Sequence, residues 1–168
     1  MNHTIEMNET LIQKMLAYYS GDPARIQHFT KVYAYASMIG HAEKLSDDLQ
    51  HILETAAILH DIGIKIAEEK YHSSAGPLQE KEGPAVARQM PTECGTYSDA
   101  VIDRVCYLIG HHHTYSNIDR IDYQILVEAD FLVNLYEDHA DRQAIQTAIA
   151  RIFKTTSGTE MAHVMFDI

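Results

Sequence analysis

The chain has 168 residues, 46% of them hydrophobic and 22% charged, a balance that suits one globular domain spanning residues 1–168 with a sizeable core. Lysine and arginine number 13 against 24 aspartates and glutamates, for a formal net charge of −11, and no basic stripe is present to displace counterions from long nucleic acid. No apolar run approaches the ~20 residues that span a bilayer, and the first residues lack the basic start and apolar run of a secretion signal; a cytoplasmic protein with no membrane partner is expected.

From the N-terminus onward, nearly every periodic stretch is helical. Asn8 can cap a first helix from about Glu9 to Tyr19, ended by Ser20-Gly21. Asp22-Pro23 reads as an N-cap followed by proline in the first helical position, opening a helix over 23–45 with Ile26, Phe29, Tyr33, Ala36 and Gly40 on one stripe. A third helix starts near Ser46-Asp47-Asp48, turns Leu49, Ile52, Leu53, Ala56 and Ala57 inward and closes at Gly63. Residues 70–78 read as a loop because serine, glycine and proline cluster there. A helix from Gln79 to Met90 is expected to stop at Pro91, and Ser98 or Asp99 caps the next, which carries Val101, Ile102, Val105, Leu108 and Ile109 up to a histidine triplet. The segment 121–137 is apolar on almost every face and reads as a central helix, followed by an amphipathic helix over 141–154. The fold class is all-α.

Of the two cysteines, Cys94 and Cys106, neither has ligand spacing, and Cys106 reads as a small core residue. Among eleven histidines, His3, His41, His51, His139 and His163 read as surface residues. His60 is different. It extends the apolar stripe of Ala56 and Ala57 in the run Ala-Ala-Ile-Leu-His-Asp-Ile-Gly, and Asp61 follows where the helix ends, the end at which a carboxylate is disfavoured by the macrodipole. Asp130 falls among Leu126, Val127, Val133 and Asn134, where an unpaired carboxylate would cost several kcal/mol. A metal ion with nearby imidazoles removes that penalty, and an arginine partner or a capping role would also remove it. Glu128, hemmed in by Ile125, Phe131 and Leu132, reads as a partner of that site or a residue at the helix edge. Adjacent helix positions diverge by about 100°, so His111, His112 and His113 cannot all face one ion. His28 on its own carries no signal.

The ordered set His28, His60-Asp61 and Asp130, within the words Ile-Leu-His-Asp-Ile-Gly, Ile-Gly-His-His and Glu-Ala-Asp-Phe-Leu-Val-Asn, resembles the HD superfamily of metal-dependent phosphohydrolases. The resemblance implies a single-domain HD-type helical bundle with a metal site in its core, ligated by His28, His60, Asp61 and Asp130. It also implies one or two divalent ions drawn from Fe, Mn, Co, Ni, Zn or Mg. His111 and His112 resemble the extra histidines of the binuclear branches, whereas His113 reads as a surface residue. Those branches carry a further histidine where this chain has Gln79, with Glu80 and Glu82 as acidic neighbours. The Gly-Tyr-Pro signature of the cyclic-dinucleotide branch is absent.

The activity so implied is hydrolysis of a small phosphoester, most plausibly a nucleotide, by attack of metal-bound hydroxide. Asp61 is placed to orient that water and take its proton, and Lys65 is the main candidate to hold phosphate, with Lys70 and His72 beside it. Two alternatives stay open: a binuclear iron oxygenase of the same superfamily, and a non-catalytic HD-type signalling or binding module. Residues 66–82 are expected to shape the pocket and hold no base-reading motif, and the sequence assigns no oligomeric state.

Overall fold

The first helix is longer than its capping signal suggests. In the computed structural model, which describes residues 3–168 and the side chains of residues 8–168, α1 (His3–Tyr18) begins before Asn8. Asn8 is therefore no cap: it is buried, its Nδ2 donates to Glu54 Oε2 at 3.1 Å, and its Oδ1 accepts from the Tyr97 hydroxyl at 3.3 Å. The side chain of His3 lies outside the described residues. Most other starts follow their capping chemistry. Asp22 accepts from Arg25 N ahead of α2 (Pro23–Ala42), and Ser46 accepts from Leu49 N ahead of α3 (Asp47–Leu59).

After α3 the chain makes a tight turn over residues 60–63 and re-enters a helix at once, α4 (Ile64–Tyr71). This helix has no side-chain cap, and the turn hands its own carbonyls to it, with Ala67 N donating to Gly63 O at 2.9 Å. The expected loop at 70–78 shrinks to residues 72–75, because α5 (Gly76–Cys94) starts with Pro77 in its first turn. Pro91 does not stop α5. It is buried within the helix, which runs one turn further to Gly95. Ser98 caps α6 (Asp99–Ile109), and Asp141 caps α8 (Arg142–Ile152). The tail forms a further helix, α9 (Thr156–Phe166), capped by Thr155.

Between α6 and α8 runs α7 (Ile121–Glu137), with ten of its residues buried. It is the central helix that its all-round apolarity predicts, packed against α2, α3, α8 and α9. Its N-terminus is anchored by Arg104, which forks onto the buried Asp122 at 2.7 and 2.8 Å and onto Asp119 at 2.8 Å. Among the described residues no helix is long and apolar enough to cross a membrane. His41, His139 and His163 are exposed as expected, but His51 is half-buried and stacked on Tyr97, ring centroids 5.4 Å apart. Cys106 packs on the core, its thiol directed at Pro84 O.

Candidate metal centre

Two helices and one turn bring the site together. His28 comes from α2, Asp130 from α7, and the His60-Asp61 doublet from the turn after α3. The turn is held from outside by Tyr19, whose hydroxyl donates to Asp61 O at 3.3 Å and accepts from Lys65 N at 3.3 Å. Gly63 presses the same turn against α5. A Cβ at Gly63 would lie 2.7 Å from both Gln79 O and Gly83 N, so a side chain there would force the two segments apart.

The four side chains converge and all are buried. His28 Nε2 lies 3.0 Å from His60 Nε2, 3.2 Å from Asp61 Oδ2 and 3.3 Å from Asp130 Oδ1. His60 Nε2 lies 3.5 and 3.6 Å from the same two oxygens. Ligands about 2.1 Å from a transition-metal ion stand ~3.0–3.4 Å from one another in octahedral or tetrahedral arrangement. The observed spacings of 3.0 to 3.6 Å come close to that range, so the four side chains could hold one ion.

The tautomers agree. His60 Nδ1 donates to Ala57 O at 2.8 Å and His28 Nδ1 to Glu137 Oε2 at 2.9 Å. Each ring therefore turns an Nε2 lone pair inward, and two lone pairs facing at 3.0 Å repel unless a cation or a proton sits between them. Protons take that part in the metal-free protein. Burial disfavours a charged imidazole, yet hydrogen bonds to Asp130 and Asp61 outweigh it and raise His28 to about 11. His60 is raised to about 9, against its own burial, by the charge of Asp61 and a hydrogen bond to Asp130. Burial likewise opposes ionisation of the two carboxyls, but the imidazoles hold Asp61 and Asp130 below the usual carboxylate range. The donor set thus fits a divalent ion. Metal uptake at neutral pH is expected to expel a proton, read as a binding enthalpy that changes with the ionisation enthalpy of the buffer.

Glu137, at the end of α7, escaped the sequence reading because a half-exposed terminal glutamate looks solvated. It holds the His28 ring while Lys31 Nζ holds its other oxygen at 2.5 Å. Carboxylates behind a ligating histidine fix its tautomer. Glu137→Ala is expected to weaken Mn²⁺ affinity by roughly 10–100-fold, with Glu137→Gln recovering part of the loss because an amide oxygen still accepts from Nδ1–H.

The other expected residues separate. His112 is buried, its Nδ1 donating to Ile109 O at 2.9 Å and its Nε2 lying 3.1 Å from Asp61 Oδ1. His113, and not His111, joins it: its Nε2 lies 3.6 Å from Asp61 Oδ1. His111 instead bonds Tyr107 O and stacks on the Tyr107 ring, centroids 4.2 Å apart. The pairing shifts because the triplet lies in a turn and not in the helix. That turn is fixed by the Tyr123 hydroxyl on His111 O and Thr114 O, and by Glu80 accepting from His113 N and Thr114 Oγ1.

Lys65 does not reach the cluster. Its ammonium lies 3.1 Å from Tyr18 O and over the Tyr18 ring. Lys70 and Tyr71 bond Glu82, and His72 is exposed. A cleft of about 380 Å³ opens over His28 and Asp61, and among the described residues Arg25 is the one arginine or lysine lining it. Glu128 is no part of the site; it caps the approach to α9.

A family comparison matches residues 25–155 to the HD domain. Among solved structures, the chain is similar to a predicted HD superfamily hydrolase from an uncultured Thermotogales bacterium, with a TM-score of 0.66 and 23% identity over 98% of this chain and 86% of that one. No curated protein matches.

Proposed function

The chain belongs to the HD domain family, and on that premise we propose that it is a metal-dependent phosphohydrolase acting on a small phosphoester, a nucleotide by preference. The observation that carries this reading is the four-donor centre of His28, His60, Asp61 and Asp130 at the edge of a cleft sized for a small molecule. A divalent ion held there would polarise a phosphoryl oxygen and acidify water. Asp61 is positioned to accept the proton of an attacking water on the cleft side.

Arg25 takes the part that the resemblance suggested for Lys65. Its guanidinium forms a fork with Glu68, at 2.6 and 2.9 Å, at the rim of the cleft. An incoming phosphate would offer the same bidentate acceptor. Arg25→Ala is expected to raise KM for a phosphorylated substrate by about tenfold or more, the loss of one charge-assisted hydrogen bond, while metal affinity holds. A change confined to thermal stability would mark Arg25 as a strut between α2 and α4.

The test is an activity screen over phosphorylated metabolites with manganese, cobalt, nickel, iron and magnesium, paired with elemental analysis. Metal-dependent release of phosphate or a phosphorylated product supports the reading. Substrate-dependent oxygen consumption by an iron-loaded protein would replace it with an oxygenase, and failure to bind any divalent ion would leave a non-catalytic module.

A further inference from the structure

A second cavity is tied to the metal centre by two polar contacts. It measures about 320 Å³ and lies between α2, α7 and α9, lined by Lys31, Tyr35, Leu132, Val133, Tyr136 and Met165. Leu132 and Val133 are buried and form its floor, Tyr35 and Met165 are half-buried, and Tyr136, 69% exposed, stands at its rim. That size, with walls of aliphatic, aromatic and thioether groups, suits a compact apolar body. Among the described residues lining it, Lys31 is the one that carries a charge. A lone ammonium at an apolar wall repels a cationic ligand and draws an anionic one, so the chemistry selects a small apolar molecule with one carboxylate.

Lys31 also reaches the centre. Its Nζ meets Glu137 Oε1 at 2.5 Å, and Glu137 Oε2 accepts from His28 Nδ1 at 2.9 Å. An ammonium has three donors, so it can bond a second carboxylate while it holds Glu137, but each acceptor then draws it away from the other. An occupant of the cavity would thus slacken the carboxylate that fixes the His28 ring. The cavity shares no lining residue with the cleft over His28 and Asp61, so its occupant would not compete with a substrate there.

We propose that this cavity is a regulatory site for a compact aromatic monocarboxylate, whose binding loosens Glu137 through Lys31 and lowers the metal affinity of the His28 group. The effect on metal rests on the reading that this group holds an ion; the cavity and its ligand do not. Coupling is reciprocal, so metal weakens the carboxylate by the factor that the carboxylate weakens the metal.

The probe is phenylacetate, with phenethyl alcohol and phenethylamine as neutral and cationic forms of the same body. Calorimetry on the metal-free full chain should show saturable binding of phenylacetate, with a Kd of about a millimolar or tighter for so small a ligand. The alcohol should bind more weakly and the amine not at all. Lys31→Met should weaken phenylacetate about tenfold or more, the loss of one charge-assisted hydrogen bond, and Lys31→Arg should keep it. Saturating phenylacetate should move the ring-nitrogen resonances of His28 and raise the Kd for Mn²⁺ about fivefold or more. No saturable binding, or equal binding by wild type and Lys31→Met, would overturn the proposal. Binding that leaves both the His28 resonances and the Mn²⁺ affinity unmoved would overturn it too. A chain that binds phenylacetate, moves the His28 resonances and takes up no Mn²⁺ would sink the metal reading and uphold the cavity with its link to His28.

Discussion

Asp61→Ala is expected to lower the proposed phosphoester hydrolysis on the order of a thousandfold or more, the several kcal/mol of transition-state stabilisation that a correctly held ion would supply. The size follows from geometry: one oxygen of Asp61 belongs to the first group of donors and the other faces His112 and His113. No other side chain of the centre serves both sides. The fold should survive, because the bonds that shape the turn are main-chain ones. Ile62 N donates to Leu59 O, Ile64 N to Asp61 O, and the Tyr19 hydroxyl to Asp61 O. Alanine keeps all three. Turnover and far-ultraviolet circular dichroism, measured on the same preparation, separate lost chemistry from lost structure. Wild-type turnover in this variant would remove the doublet from the reaction.

Much of the centre was legible because its residues contradict their surroundings. A histidine extending an apolar stripe and an aspartate in an all-apolar helix are costly without a partner. The structure brings both to one point with His28. Helix starts were legible at Asp22, Ser46 and Ser98, where a side chain does the capping, whereas α9, capped by Thr155, was not read. Where the backbone caps itself the reading failed, as at α4, which follows the doublet turn without any capping side chain. The histidine triplet failed for a related reason. The 100° rule applies within a helix, but α6 ends at Ile109, and beyond it the rings of His112 and His113 come to 3.9 Å centroid to centroid. Arg25 and Glu137 had no local signal, since each gains its meaning from a partner far along the chain.

Glu128 and Asp130 offer the sharpest separation of structure from function, and their variants are expected to behave oppositely. Both carboxylates are buried on α7; two positions apart, they point about 200° from one another around the helix. Asp130 faces the histidines. Glu128 faces the start of α9, where its Oε1 accepts from Lys154 N at 2.6 Å, Thr155 N at 2.9 Å and Gln124 Nε2 at 2.7 Å, and its Oε2 accepts from the Thr155 hydroxyl. The contact is so close that a Cβ at Gly158 would lie 2.0 Å from Oε2. Glu128→Ala strands the buried donors of Thr155, at about 1–3 kcal/mol each. A total of roughly 3–5 kcal/mol would lower the melting temperature by about 10 °C or more in a chain of this size, with metal affinity in the surviving folded protein little changed. Asp130→Asn keeps the shape and removes a charge, so the metal-free variant loses its charged partner to His28 and His60 and should melt below the metal-free wild type. It also loses the stabilisation by bound ion, about 2.7 kcal/mol at a hundredfold excess over Kd. Chelator should therefore lower the melting temperature of the wild type and leave that of Asp130→Asn almost unmoved. An Asp130→Asn protein whose melting temperature falls with chelator as far as the wild type's would show that the ion does not depend on Asp130, and the ion would lose its buried ligand.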